Sequence, residues 1–150
     1  MTPRTGAQRK ADVLAMLSTS DADVWVASSS TSGPAHLVPL SLAWDGEQVI
    51  VAVERSSVTA RNIIDSGQAR CAVGDTRDVV MIDAMLDRAV DVEKAPPALA
   101  DTFANQADWD PRASGGENSF LVLRPRRIQA WREVDEIAER TVMRDGTWLV

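Results

Sequence analysis

Two apolar runs, Ala35–Trp44 and Gln48–Val53, flank the dipeptide Asp45-Gly46, and this turn signal constrains the fold more than any other feature of the chain. A two-residue type I′ turn needs positive φ at both central residues, a conformation that Asp-Gly accepts. The strands on either side are then neighbours and antiparallel. A second Asp-Gly pair, Asp145-Gly146, repeats the signal in the closing segment Arg140–Val150.

Other elements follow from periodicity and punctuation. Thr5 and Gln8 have the spacing of a capping box, which predicts a first helix over 7–18 with Val13, Leu14 and Leu17 on its apolar side. Residues 1–6 read as a disordered lead. Val24–Ser29 is a short strand, and the cluster from Ser28 to Pro34 is a turn. Ser57–Ser66 is a short helix stopped by Gly67, with Ile63 and Ile64 as its buried side. Ala69–Gly74 and the longer Val79–Val92 are strands, the second long enough to bend. Pro96 and Pro97 suit the first turn of a third helix, with Leu99 and Phe103 as its stripe. A polar loop, Asp108–Asn118, precedes the last long strand, Ser119–Arg132, in which Pro125 demands a bulge or an edge. Six strands and three short helices without βαβ alternation favour an antiparallel barrel over a parallel doubly wound sheet.

Composition sets the outer limits. With 150 residues, 45% hydrophobic and 25% charged, the chain reads as one soluble domain spanning 1–150. The net charge of −6 argues against broad nucleic-acid binding. Cys71 is the only cysteine, so no internal disulfide forms, and its apolar surroundings make it a buried inert thiol. No window has the length and apolarity of a signal peptide or a membrane span, so a cytoplasmic protein without membrane partners is expected.

Candidate chemistry concentrates in Arg55–Asn62, where Arg55, Ser56, Ser57, Thr59 and Arg61 gather at the start of a helix. Helix N-termini offer unpaired N–H groups and a partial positive charge, so this cluster suits a phosphate. The same residues also serve as plain capping, with Ser56 or Ser57 as the N-cap. His36 is the sole histidine and reads as an ordinary strand residue. No histidine partner or cysteine pair accompanies it, which leaves no structural zinc site. Trp25 and Trp44 read as core or interface. Trp131 and Trp148 lie among Arg126, Arg127, Arg132, Arg140 and Arg144, a setting for a planar anion or for a dimer seam.

Several segments together resemble the pyridoxamine 5′-phosphate oxidase-like split barrels, which include flavin and deazaflavin oxidoreductases. They are AHLVPLSLAWDG (Ala35–Gly46), SSVTARNI (Ser56–Ile63), RCAVGD (Arg70–Asp75), WDPR (Trp109–Arg112), RPRRIQAWRE (Arg124–Glu133) and RTVMRDGTWL (Arg140–Leu149). The resemblance implies a six-stranded antiparallel split β-barrel, an FMN-binding split barrel, built as a homodimer with two cofactor sites at the interface. It implies that Ser57, Thr59, Arg61 and Asn62 grip the phosphate of FMN or coenzyme F-420. Val38, Pro39 and Leu40 would then flank the ring system, while Trp131 and Arg132 reach the partner's site. Many relatives carry a lysine where this chain has Thr59, and the residues that bind pyridoxal phosphate in the true oxidase have no match here. The expected function is hydride transfer between FMN or F-420 and a small organic acceptor. The alternatives are a non-catalytic flavin-binding or sensing protein, and a dimeric interaction module without cofactor.

Overall fold

The computed structural model describes residues 2–150. The capping box forms: the Thr5 hydroxyl accepts from the Gln8 backbone N–H (3.1 Å), and the Gln8 side chain accepts from the Thr5 N–H (2.8 Å). Helix α1 (Gly6–Leu17) begins there and buries Val13 and Leu17. The disordered lead expected at 1–6 is corrected from Arg4 onward (Met1 lies outside the described residues). Arg4 Nη2 donates to Glu136 Oε1 at 2.7 Å and its backbone N–H to Glu136 Oε2 at 2.8 Å, which ties the lead to the far end of the chain.

The strands are β1 (Asp23–Ser28), β2 (His36–Ser41), β3 (Ala43–Trp44), β4 (Val49–Glu54), β5 (Gln68–Asp75), β6 (Asp78–Asp91), β7 (Asn118–Trp131), β8 (Thr141–Arg144) and β9 (Thr147–Trp148). Every pairing is antiparallel, along the path β2-β1-β5-β6-β7-β4-β3. Ala35–Trp44, expected as one strand, is broken at Leu42. Its first half pairs with β1 and its second with β4. The Leu42 side chain is fully buried and its N–H donates to the Ala22 carbonyl (2.9 Å), so the chain turns inward at that point. The two ends of the path are therefore consecutive in sequence, and the sheet curls round until they meet.

The result is the expected six-stranded antiparallel split barrel. Nine hydrogen-bonded segments make it up: one stave in two pieces, five whole staves and the added hairpin β8–β9. Alongside β2 no ladder reaches β4, and this gap is the split.

The first Asp-Gly turn differs from expectation. Gly46 has φ 102°, but Asp45 stays out of the positive-φ region, and four residues rather than two bridge the strands. The Asp45 carboxylate accepts from the Glu47 and Gln48 N–H groups (2.8 and 2.6 Å) and builds its own turn. The type I′ geometry occurs at Asp145-Gly146 instead, where φ is 52° and 77° and Arg144 pairs with Thr147.

β4 is buried along nearly its whole length because two cores share it. Val49, Val51 and Val53 face the barrel interior with Leu17, Ile63, Cys71 and Ile82. Ile50 and Ala52 face a second cluster beneath α3 (Pro97–Gln106), with Leu99, Phe103 and Phe120. β6 bends through two register shifts, and the one at Asp83/Ala84 lies opposite Pro125, which accommodates that proline within β7. Burial pushes the Cys71 thiol up to about 12, which leaves it protonated and unreactive. Helix α2 (Val58–Ser66) ends at Gly67 with φ 74° and buries Ile63. Ile64 is 48% exposed, contrary to expectation, because adjacent helical positions point about 100° apart.

A candidate cofactor cleft in the barrel split

The split opens into a cavity of about 710 Å³ between β2, β4, the first turn of α2 and the loop after α3. Two side-chain bridges cross the gap from β2. At one end His36 Nε2 lies 3.1 Å from Thr59 Oγ1. At the other the Ser41 hydroxyl donates to Asp108 Oδ1 at 3.2 Å. Between them β2 runs for roughly 17 Å at about 3.3 Å per residue. Val38 and Leu40, on one face of β2, supply an apolar wall along this stretch, and Pro39 borders the cavity between them while its exposed side turns to the outer face.

The hydroxyl-rich end follows from how α2 starts. Ser57 is the N-cap, and its hydroxyl accepts from the Ala60 N–H (3.1 Å). That leaves the Val58 and Thr59 N–H groups without intrahelical partners, beside the cavity. The Arg61 guanidinium folds back along the start of the helix, with Nη1 donating to the Ser56 carbonyl at 2.8 Å; it does not line the cavity, and it has no carboxylate partner among the described residues. Ser57 and Thr59 thus line one end of the cleft, and Arg61 stays next to it on the outside of the helix start.

The other expected members do not join them. Arg55 is taken up by acids: its Nη2 donates to Glu93 Oε1 at 2.9 Å and its Nε lies 3.2 Å from Asp91 Oδ1. Ser56 contributes only its carbonyl to Arg61. Asn62 is buried and donates to the Ser28 hydroxyl at 3.3 Å, bracing α2 against β1. Spacing placed all three near the helix start, but tertiary partners turned Arg55 and Asn62 away from the cleft, and Ser56 does not line it. Trp131 and Arg132 also lie outside their own chain's cleft. Arg140 sits over the Trp131 ring (5.6 Å), Trp131 lines a separate cavity of about 300 Å³ with Arg70 and Met81, and Arg132 Nε reaches Asp78 at 3.2 Å.

Three of the cleft residues that carried no functional expectation bear on what the cleft can hold. His36 stands on the cleft side of β2 with Val38 and Leu40, and the period-two alternation of a strand is the signal for that placement. Glu54 puts a carboxylate at the α2 end, which an anionic ligand must tolerate. Trp109 forms the opposite wall, and its loop is pinned. The Arg112 guanidinium donates to Asp110 and to Asp101 (2.8 Å), and the hydrogen bonds from Arg112 hold the Asp110 carboxyl below the usual range. Among the described residues no group of three or more His, Cys, Asp or Glu is placed to hold a metal ion, and no helix is long and apolar enough to cross a membrane.

No family model and no curated protein matches the sequence. Solved structures do match. An F-420 reductase is 18% identical with a TM-score of 0.62, over 76% of this chain and 93% of that one. A Listeria innocua protein provisionally named a pyridoxamine 5′-phosphate oxidase is 11% identical with a TM-score of 0.62, over 83% and 98%. The fold is that of the pyridoxamine 5′-phosphate oxidase-like split barrels. A heme storage protein from Vibrio cholerae also shares the split barrel, at 14% identity and a TM-score of 0.61 over 81% and 94%. Identities this low speak for the fold alone.

Proposed function

We propose that this split barrel binds FMN or coenzyme F-420 in the cleft and serves hydride transfer to a small organic acceptor, as a cytoplasmic homodimer. The observation that carries the reading is the polarity of the cleft. Free N–H groups and the Ser57 and Thr59 hydroxyls stand at one end, with Arg61 on the neighbouring helix start, and an apolar wall runs along β2 toward the other. A phosphate tail suits the first and a ring system the second. The bound cofactor supplies the redox chemistry. The chain's own part is to anchor the tail, orient the ring against β2 and keep water from its buried face.

A dimer draws support from the outer sheet face, where Pro39, Trp25, Ala72 and Met81 stand in register across four strands. Trp25 is 49% exposed and Leu37 is 59% exposed on this side. In such an assembly Trp131 and Arg132 serve the partner's cleft rather than their own.

Fluorescence titrations with FMN and F-420 side by side test the reading. Binding of one of them is expected, weakened about tenfold or more by Arg61→Ala, the scale of one lost charged hydrogen bond. Unchanged affinity takes Arg61 out of the site, and no response to either cofactor refutes the reading. His36 favours a second reading, storage of a ring cofactor without turnover, because it is the chain's sole histidine and faces the cleft. A shift of the hemin Soret band that His36→Ala abolishes would select it.

A further inference from the structure

We infer that Trp109 is the specificity-determining wall of the cleft and seats flat, conjugated rings in preference to aliphatic molecules; the inference rests on the cleft being the ligand site proposed above. Trp109 is the only tryptophan or phenylalanine side chain that lines the cavity. Its position is built rather than incidental. The indole meets Phe103 edge to face, with ring centroids 5.9 Å apart and planes at 87°. Phe103 is fully buried and packs in turn on Phe120 at 5.5 Å. On the other side of the indole the chain is held by the bond between Ser41 and Asp108, and after it by the Arg112 clamp on Asp110 and Asp101. An aromatic wall held on both sides loses little freedom when a ring packs against it.

Its location separates two parts of a ligand. Asp108 bonds to Ser41, next to Leu40, so the start of the Trp109 loop is fixed at the end of β2 far from the bridge between His36 and Thr59. The tail end of the cleft offers N–H groups and the hydroxyls of Ser57 and Thr59. The Trp109 end offers Leu40 and an indole. Aromatic faces favour offset or edge-on partners with matching π-systems, so recognition at this end selects planarity and conjugation rather than charge.

Lumichrome, a flavin ring without a tail, isolates this end, and inorganic phosphate isolates the other. Lumichrome is expected to bind the full chain and quench tryptophan emission, with affinity falling about tenfold in Trp109→Leu and staying within about threefold in Trp109→Phe. Phosphate competition against FMN is expected to be the same in all three proteins. Comparing the quenched fraction between the wild type and Trp109→Phe gives a second measure that does not need the leucine variant to fold. Equal lumichrome affinity in Trp109→Leu, an unchanged quenched fraction in Trp109→Phe, or no lumichrome binding by the wild type overturns the inference. Lumichrome binding that depends on Trp109, without response to FMN or F-420, supports Trp109 as the wall and refutes the cofactor reading instead.

Discussion

Glu136 shows how much one side chain can hold. It is 4% exposed and accepts from the Arg4 guanidinium and from the backbone N–H groups of Arg4 and Arg132. Those bonds, the guanidinium's first, outweigh burial and hold its carboxyl down to about 2. A depressed carboxyl stabilises the fold fully above the ordinary glutamate range and loses that contribution as pH falls toward its folded value. Glu136→Gln is expected to cost about 2–3 kcal/mol at neutral pH, as for charged hydrogen bonds in a buried pair. Urea denaturation at neutral pH and again near pH 2 checks this, because the gap between the two proteins should shrink in acid. A gap independent of pH would mean that Glu136 acts by shape rather than by charge. Nothing in the spacing of Arg4 and Glu136 announces their pairing, since they meet only through the closed barrel.

Identical dipeptides do different work at the scale of a turn. Asp45 makes its loop with its carboxylate, whereas Asp145 makes a turn with its backbone at φ 52°. Asp45→Gly removes the acceptor of two N–H groups and is expected to cost about 1–2 kcal/mol. Asp145→Gly relieves left-handed strain but adds chain entropy to the unfolded state, so a net change within about 0.5 kcal/mol is expected. Thermal denaturation of the two variants compares them directly, and equal losses would contradict the assignment of the two turns. Both turn positions were legible in the sequence. The geometry of the second was legible too; that of the first was not, because the break at Leu42 shortens β3 to two residues and changes what the first turn must span.

For the whole molecule the outer face of β2, β1, β5 and β6 decides the state of assembly. A stable dimer needs roughly 800 Å² per partner, with a well-packed apolar centre. Trp25 lies in the middle of the exposed row between Pro39 and Ala72. Trp25→Asp is expected to convert a dimer to a monomer in sedimentation equilibrium, while the barrel keeps its denaturation midpoint. A wild-type monomer, or a variant that remains dimeric, would place the interface elsewhere or remove it.

The sequence by itself determined the elements and most of their class. The Thr5–Gln8 box, the stop at Gly67 and the bulge demanded by Pro125 are local, because capping, left-handed φ and a missing N–H are properties of a few adjacent residues. Only the tertiary structure decided which strands pair across the break at Leu42, and with it the split. It alone turned Arg55 toward Glu93 and Asp91, braced Asn62 on Ser28, and set His36 and Trp109 in the lining of one cleft. Those outcomes depend on contacts between residues distant in the chain, and the periodicity of a segment carries no information about its partner.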